Sequence, residues 1–136
     1  MRKINKAVEG DLIAIPIESK WAIGRVVFVS EHFKEIMLFE IHGLIDAYEN
    51  FEYGGTPCLS LYTASKGFKK RGWVVFGNVP VDQSEKAKTL RIVADDLWLE
   101  DKIVRRATKE DQSSIDEMYV DGHIRVENII KRRLVT

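Results

Sequence analysis

A single cysteine, Cys58, stands in a chain of 136 residues, so no disulfide can form within it. Secreted domains of this size often carry paired cysteines, and the expectation is a cytoplasmic protein. Net charge is missing as well: 21 Lys and Arg balance 21 Asp and Glu, which excludes a global basic field for gripping nucleic acid. No apolar run approaches the roughly 18 residues needed to span a bilayer. The basic opening Met1 to Lys6 leads into no apolar stretch of signal-peptide length. His32, His42 and His123 lie far apart, and no His or Cys pair has helical or Cys-x-x-Cys spacing, so no metal is expected. Phosphate loops, dinucleotide fingerprints and Gly-x-Ser-x-Gly elbows do not occur. No catalytic set or cofactor is therefore expected. Cys58, between Pro57 and an apolar run, suits a small buried hydrophobe better than a nucleophile.

What is present reads as one domain around one core, since two cores would each be marginal at this length. Apolar residues make up 45% of the chain and charged residues 31%, which is globular composition. The fold predicted is mainly β with minor α: a strongly bent antiparallel sheet or a partly open SH3-like barrel, with one or two short helices. Leu12 to Ile17 is an apolar strand in which Pro16 marks an edge or an end. Glu18-Ser19-Lys20 is a connection of hairpin length. The next strand, Trp21 to Val29, alternates Trp21, Ile23, Arg25, Val27 and Val29 against Ala22, Gly24, Val26 and Phe28. Gly24 predicts a bulge or tight bend. Ile15 and Val27 are expected to share a core, with Trp21 mostly buried. Met37 to Ile41 forms a third strand, and shorter ones are expected near 59–62, 73–76, 90–94, 97–99 and 102–104. Ser114 and Glu117 have capping-box spacing within a polar stretch at 108–118. Asp121-Gly122 is a hairpin signal between Met118–Val120 and Ile124–Val126. Beyond it the chain is ambiguous: Val126, Ile129, Ile130 and Leu134 fit a helical stripe, while Ile124–Val126 could continue a strand.

Charge is segregated although it sums to zero. Residues 64–91 hold seven Lys and Arg against two acids, residues 92–121 hold four against nine acids, and the last fifteen hold four against one. Such a dipolar surface steers partners, though blocks of this kind also occur on solvated faces. The acidic segment offers Asp95, Asp96, Glu100, Asp101, Glu110 and Asp111 as candidate partner contacts, suited to a basic protein surface. The basic stretch Lys66-Gly67-Phe68-Lys69-Lys70-Arg71 offers one aromatic among cations, the ingredients for stacking on single-stranded nucleic acid.

The first strand pair carries a family resemblance. Gly10-Asp11-Leu12-Ile13-Ala14-Ile15-Pro16-Ile17, followed by Trp21-Ala22-Ile23-Gly24-Arg25-Val26, resembles the opening of the immunity protein 26 family of bacterial polymorphic-toxin systems. Trp73-Val74-Val75-Phe76-Gly77 is similar to a second, looser signature of that family. The match covers about residues 8–29 with an echo at 73–80, and Gly-Asp before a strand also opens small barrels such as MazF-type ribonucleases. The resemblance implies a β-rich cytoplasmic protein that binds and neutralises a cognate protein toxin, with no catalytic residues. A small-barrel nucleic-acid-binding protein and a MazF-like nuclease are the alternatives.

Overall fold

A computed structural model describes residues 5–135. It is mainly β, with 41% strand and 24% helix, and its two antiparallel sheets are not closed into a barrel. The larger sheet comprises β1 (Asp11–Ile17), β2 (Lys20–Val29), β3 (Ile36–Ile45), β4 (Leu59–Ala64) and β5 (Val74–Asn78), ordered β4-β3-β2-β1-β5. The smaller one is a meander of β6 (Arg91–Val93), β7 (Asp96–Leu99) and β8 (Lys102–Arg106). Helices α1 (Lys109–Ser114) and α2 (His123–Leu134) follow.

The opening hairpin forms as its residues dictate. Ile17 pairs with Lys20 around the turn Glu18-Ser19, and the β1–β5 ladder stops at Ala14, so Pro16 interrupts no β5 bond. Gly10 takes a left-handed φ of 91°, and its N–H and C=O bond Val26 O and Val79 N–H, joining β2 and the end of β5 around one residue. Register shifts at Ile23/Gly24 and at Val26/Phe28 bend the sheet, the first at the glycine that predicted it.

The second shift changes which side chains share a face. Ile13, Ile15 and Ile17 lie with Ala22, Val26, Phe39 and Ile41 in the main core, against Phe68, Trp73 and the α2 residues Val126 and Ile130. Val27 belongs instead with Phe28 and Leu38 on the other side. Ile15 and Val27 are both fully buried but do not share a core: Ile15 pairs with Ala22 and so shares the face of Ala22 and Val26, whereas Val27 alternates with Arg25 onto the other face, where the bulge sends Phe28 as well. Trp21 is half-buried, edge-on to Tyr48 at 4.9 Å.

The C-terminal stretch resolves as helix. Val126, Ile129 and Ile130 bury one stripe of α2, and Gly122 precedes the helix rather than turning a hairpin. The buried carboxylate of Glu127 receives Trp73 Nε1–H at 2.9 Å and the Arg71 guanidinium at 2.6 and 3.0 Å, which pins α2 to the sheet. Burial pushes the Glu127 carboxyl up, but its bonds to Arg71 and Trp73 outweigh this and hold it below its ordinary value. The capping box lies at Thr108 and Asp111, not at Ser114 and Glu117. Cys58 is exposed rather than buried. No helix among the described residues is long and apolar enough to cross a membrane.

Candidate functional site

The second face of the large sheet is held by charge rather than by hydrocarbon alone. Arg25, from the middle of β2, is 1% exposed and donates to Val79 O, Pro80 O, Tyr53 Oη and both carboxylate oxygens of Glu85. Beside it Glu40 of β3, equally buried, meets Lys88 at 3.0 Å. Burial opposes the Arg25 charge, yet its partners leave its pKa raised. The Arg25 bonds hold the Glu85 carboxyl down at about 2 from 4.5. A carboxyl depressed on folding contributes stability above its unfolded pKa and loses it as pH falls through the folded one. Stability is therefore expected to drop by up to about 3 kcal/mol between roughly pH 4.5 and pH 2 through this group. Chemical denaturation across that range, with Glu85→Gln lacking this share of the loss, is the check.

This network fixes the 79–90 segment on the sheet and so places one wall of a cleft of about 350 Å³. Leu38, Leu61 and Leu90 supply apolar lining, with Tyr62 and Arg91 beside them. Arg91 is 2% exposed. It donates to Thr89 O and Glu100 O, and its guanidinium lies within 6 Å of the Phe28, Phe33 and Tyr62 ring centres. Burial lowers its pKa.

The opposite wall is a strap, residues 115–121, that joins the two sheets. Ile92 N–H donates to Asp116 O and Met118 N–H to Ile92 O, fixing the strap to β6. Asp121 N–H donates to Tyr62 O and Thr63 Oγ1–H to Asp121 O, fixing its other end to β4. Tyr119 stands between these anchors and is 72% exposed, its hydroxyl bonded to Glu117 at 3.2 Å. Asp116 and Glu117 are exposed beside it, and Val120 and Ile124 extend the apolar surface. The backbone under this exposed aromatic is thus set in place before any partner arrives, which lowers the ordering cost of binding.

The carboxylates singled out from sequence have mixed positions. Asp101 is committed internally: it accepts from Ser30 Oγ–H and from the N–H groups of Glu31 and His32, closing the 30–33 turn. Burial pushes its carboxyl up, but those bonds leave it below its ordinary value. Asp111 takes a two-pronged bond from Arg105 and the Thr108 N–H, and the Arg105 bond holds it well below the carboxylate range. Asp95 and Glu110 are exposed, and Asp96 and Glu100 are half-exposed, at opposite ends of β7. Two of the six are thus engaged internally, and none of the six lines the cleft. The acids that line the cleft are Asp116, Glu117 and Asp121, in the same acidic segment but outside the predicted set.

The basic loop also differs from expectation. Gly67 and Gly72, with φ of 86° and 81°, bracket a 3-10 turn that drives Phe68 inward, fully buried against Trp73 and His123. The aromatic required for base stacking is therefore part of the core. The three histidines remain apart, and no cluster of three or more His, Cys, Asp or Glu suited to a metal occurs among the described residues. Fold and cleft together describe a mainly β protein with an acid-walled, aromatic-tipped surface site. No protein family, curated protein or solved structure matches the chain.

Proposed function

We propose that this protein is an immunity protein: it binds a cognate bacterial toxin in the cytoplasm and blocks it through a protein–protein interface centred on the 115–121 strap. The observation that carries this reading is Tyr119, an aromatic 72% exposed on backbone anchored at both sides, beside the carboxylates of Asp116 and Glu117. Exposed aromatics are the side chains that most often dominate binding energy, while rim charges set association rate and partner choice. An acidic rim suits a toxin whose surface is basic, as nucleases often are where they hold nucleic acid. The resemblance of residues 8–29 to immunity protein 26 openings supports the same class. Its Gly10, Gly24 and Arg25 are scaffold residues here, so the resemblance bears on the sheet and the strap on the partner. The nucleic-acid alternative has lost its stacking residue to the core, and Arg71 of its loop is paired with Glu127.

Co-expression with a toxin domain encoded by an adjacent gene is expected to restore growth of a bacterial host that the toxin alone arrests. Tyr119→Ala is expected to weaken the complex by about tenfold or more, mainly through faster dissociation. Asp116→Lys with Glu117→Lys is expected to slow association. Because all three side chains are exposed, the melting temperature should stay nearly constant. Undiminished toxicity in the presence of abundant folded protein would refute the immunity assignment. Full affinity in all these variants would refute the strap as the contact.

A further inference from the structure

Arg91 is buried like Arg25 but lacks a counter-ion. Arg25 holds the Glu85 carboxylate, whereas Arg91 gives only Nη1 to protein atoms, the backbone carbonyls of Thr89 and Glu100 at 2.9 and 2.6 Å. Its Nε and Nη2 have no hydrogen-bond partner among the described residues, and the buried Tyr62 hydroxyl has none either. Asp101, whose charge reaches Arg91, is committed to Ser30 and to the N–H groups of Glu31 and His32. The aromatic rings around the guanidinium offset part of the cost of its burial but supply no acceptor in its plane. Buried donors are normally bonded, and an exception calls for an explanation. Arg91 and Tyr62 both line the cleft, and Arg91, at 2% exposure, can only lie at its floor.

We infer that the cleft is a binding site for a monocarboxylate with a small apolar or aromatic body, its carboxylate on Arg91. The Nε–Nη2 edge of a guanidinium grips a planar carboxylate in two parallel bonds. The same edge of Arg71 does so within this protein, holding Glu127 at 3.0 and 2.6 Å. Leu38, Leu61 and Leu90 suit an apolar body, and a volume of about 350 Å³ limits it to a small one. Asp116 and Glu117 on the opposite wall disfavour a dianion, which selects a carboxylate over a phosphate. Nε, Nη2 and the Tyr62 hydroxyl are closed to solvent in the free protein. The acid therefore reaches them by displacing the Tyr62 ring, which no hydrogen bond from its hydroxyl holds in place. A free small acid and a carboxylate borne by a partner chain present the same chemistry to Arg91. The inference does not depend on the immunity reading.

Phenylacetate titrated into the full chain, followed by amide and aromatic resonances, provides the test. Saturable binding with a Kd below about 1 mM is expected, with shifts at Arg91 and Tyr62. Phenylacetamide, which keeps the shape without the charge, is expected to bind about tenfold more weakly or worse, as is phenyl phosphate. Arg91→Lys keeps a cation but not the fork and is expected to lose about tenfold in affinity. Tyr62→Phe removes a hydroxyl that bonds nothing in the free protein, so melting should hold while affinity falls by about threefold or more. That variant decides the matter if Arg91→Lys does not fold. A five-residue peptide ending in Phe separates the two sources. Binding tighter than that of phenylacetate, lost on C-terminal amidation and accompanied by shifts at Tyr119, marks a partner-borne carboxylate; weaker binding marks a free acid. No saturable binding of either probe, equal binding of acid and amide, or full affinity in the folded variants would overturn the inference. Loss of toxin rescue alongside intact phenylacetate binding would strike only the immunity function.

Discussion

Glu85→Ala is expected to destabilise the fold by about 3–5 kcal/mol, because it leaves the Arg25 guanidinium buried without its counter-ion. Arg25 is 1% exposed, and two of its five bonds go to Glu85 at 2.7 and 3.2 Å. The backbone carbonyls of Val79 and Pro80 remain as acceptors, but neither carries the charge that offsets the cost of taking a cation out of water. Glu85 also accepts the Asp82 N–H at 2.9 Å, so the start of the 3-10 turn at Gln83–Thr89 loosens with it. Glu85→Gln keeps that acceptor and the shape, and is expected to recover part of the loss. Arg25→Met with Glu85→Leu, which removes both charges, should be closer to wild type than Glu85→Ala alone, since the pair's removal deletes the buried charge itself. Urea unfolding of the four proteins measures the order. A Glu85→Ala loss under about 1 kcal/mol would show that Arg25 finds water or another acid in the folded state.

Gly24→Ala is expected to cost about 3 kcal/mol or more, at the upper end for an overpacked core. A Cβ at this position would lie 2.6 Å from Cε1 and Cε2 of Phe39 and closer still to Cζ. The ring cannot swing aside, being fully buried and stacked on Trp73 at 6.1 Å between centres with 14° between planes. This is the physical content of the mid-strand glycine: it is a slot for an aromatic from the next strand as well as a bend. Phe39→Ala in the Gly24→Ala background should therefore cost much less than the sum of the two single changes. Additive losses in that double variant would place the strain in the backbone and not in the ring.

The first 45 residues were largely legible because β-branched runs, a tight turn and one glycine specify the same hairpin and bend. The expected Ile15–Val27 contact failed on register: Ile15 pairs with Ala22, so Val27 falls on the opposite face. The alternation itself broke only at the Val26/Phe28 shift, where one extra residue sends Phe28 to the side of Val27; nothing local in Val26-Val27-Phe28 announces that. The Asp121-Gly122 signal misled because turn chemistry is local, whereas Asp121 is held by Tyr62 of β4 and the following stripe is buried by the sheet. Phe68 reads as exposed among four cations, yet two left-handed glycines turn it inward. The candidate site was legible only as an acidic segment. Which of its carboxylates are neutralised depends on pairings such as Ser30 with Asp101, 71 residues apart, and no spacing rule reaches that far. Tyr119 gave no sequence signal: what distinguishes it is exposure on an anchored strap, a tertiary property.

Calorimetric titration of the protein with any purified toxin domain encoded by an adjacent gene tests the central proposal most directly. The account predicts a saturable one-to-one complex of nanomolar affinity that silences the toxin's activity and weakens by about tenfold or more in Tyr119→Ala. No heat of binding, or a complex in which the toxin keeps its full activity, would contradict it.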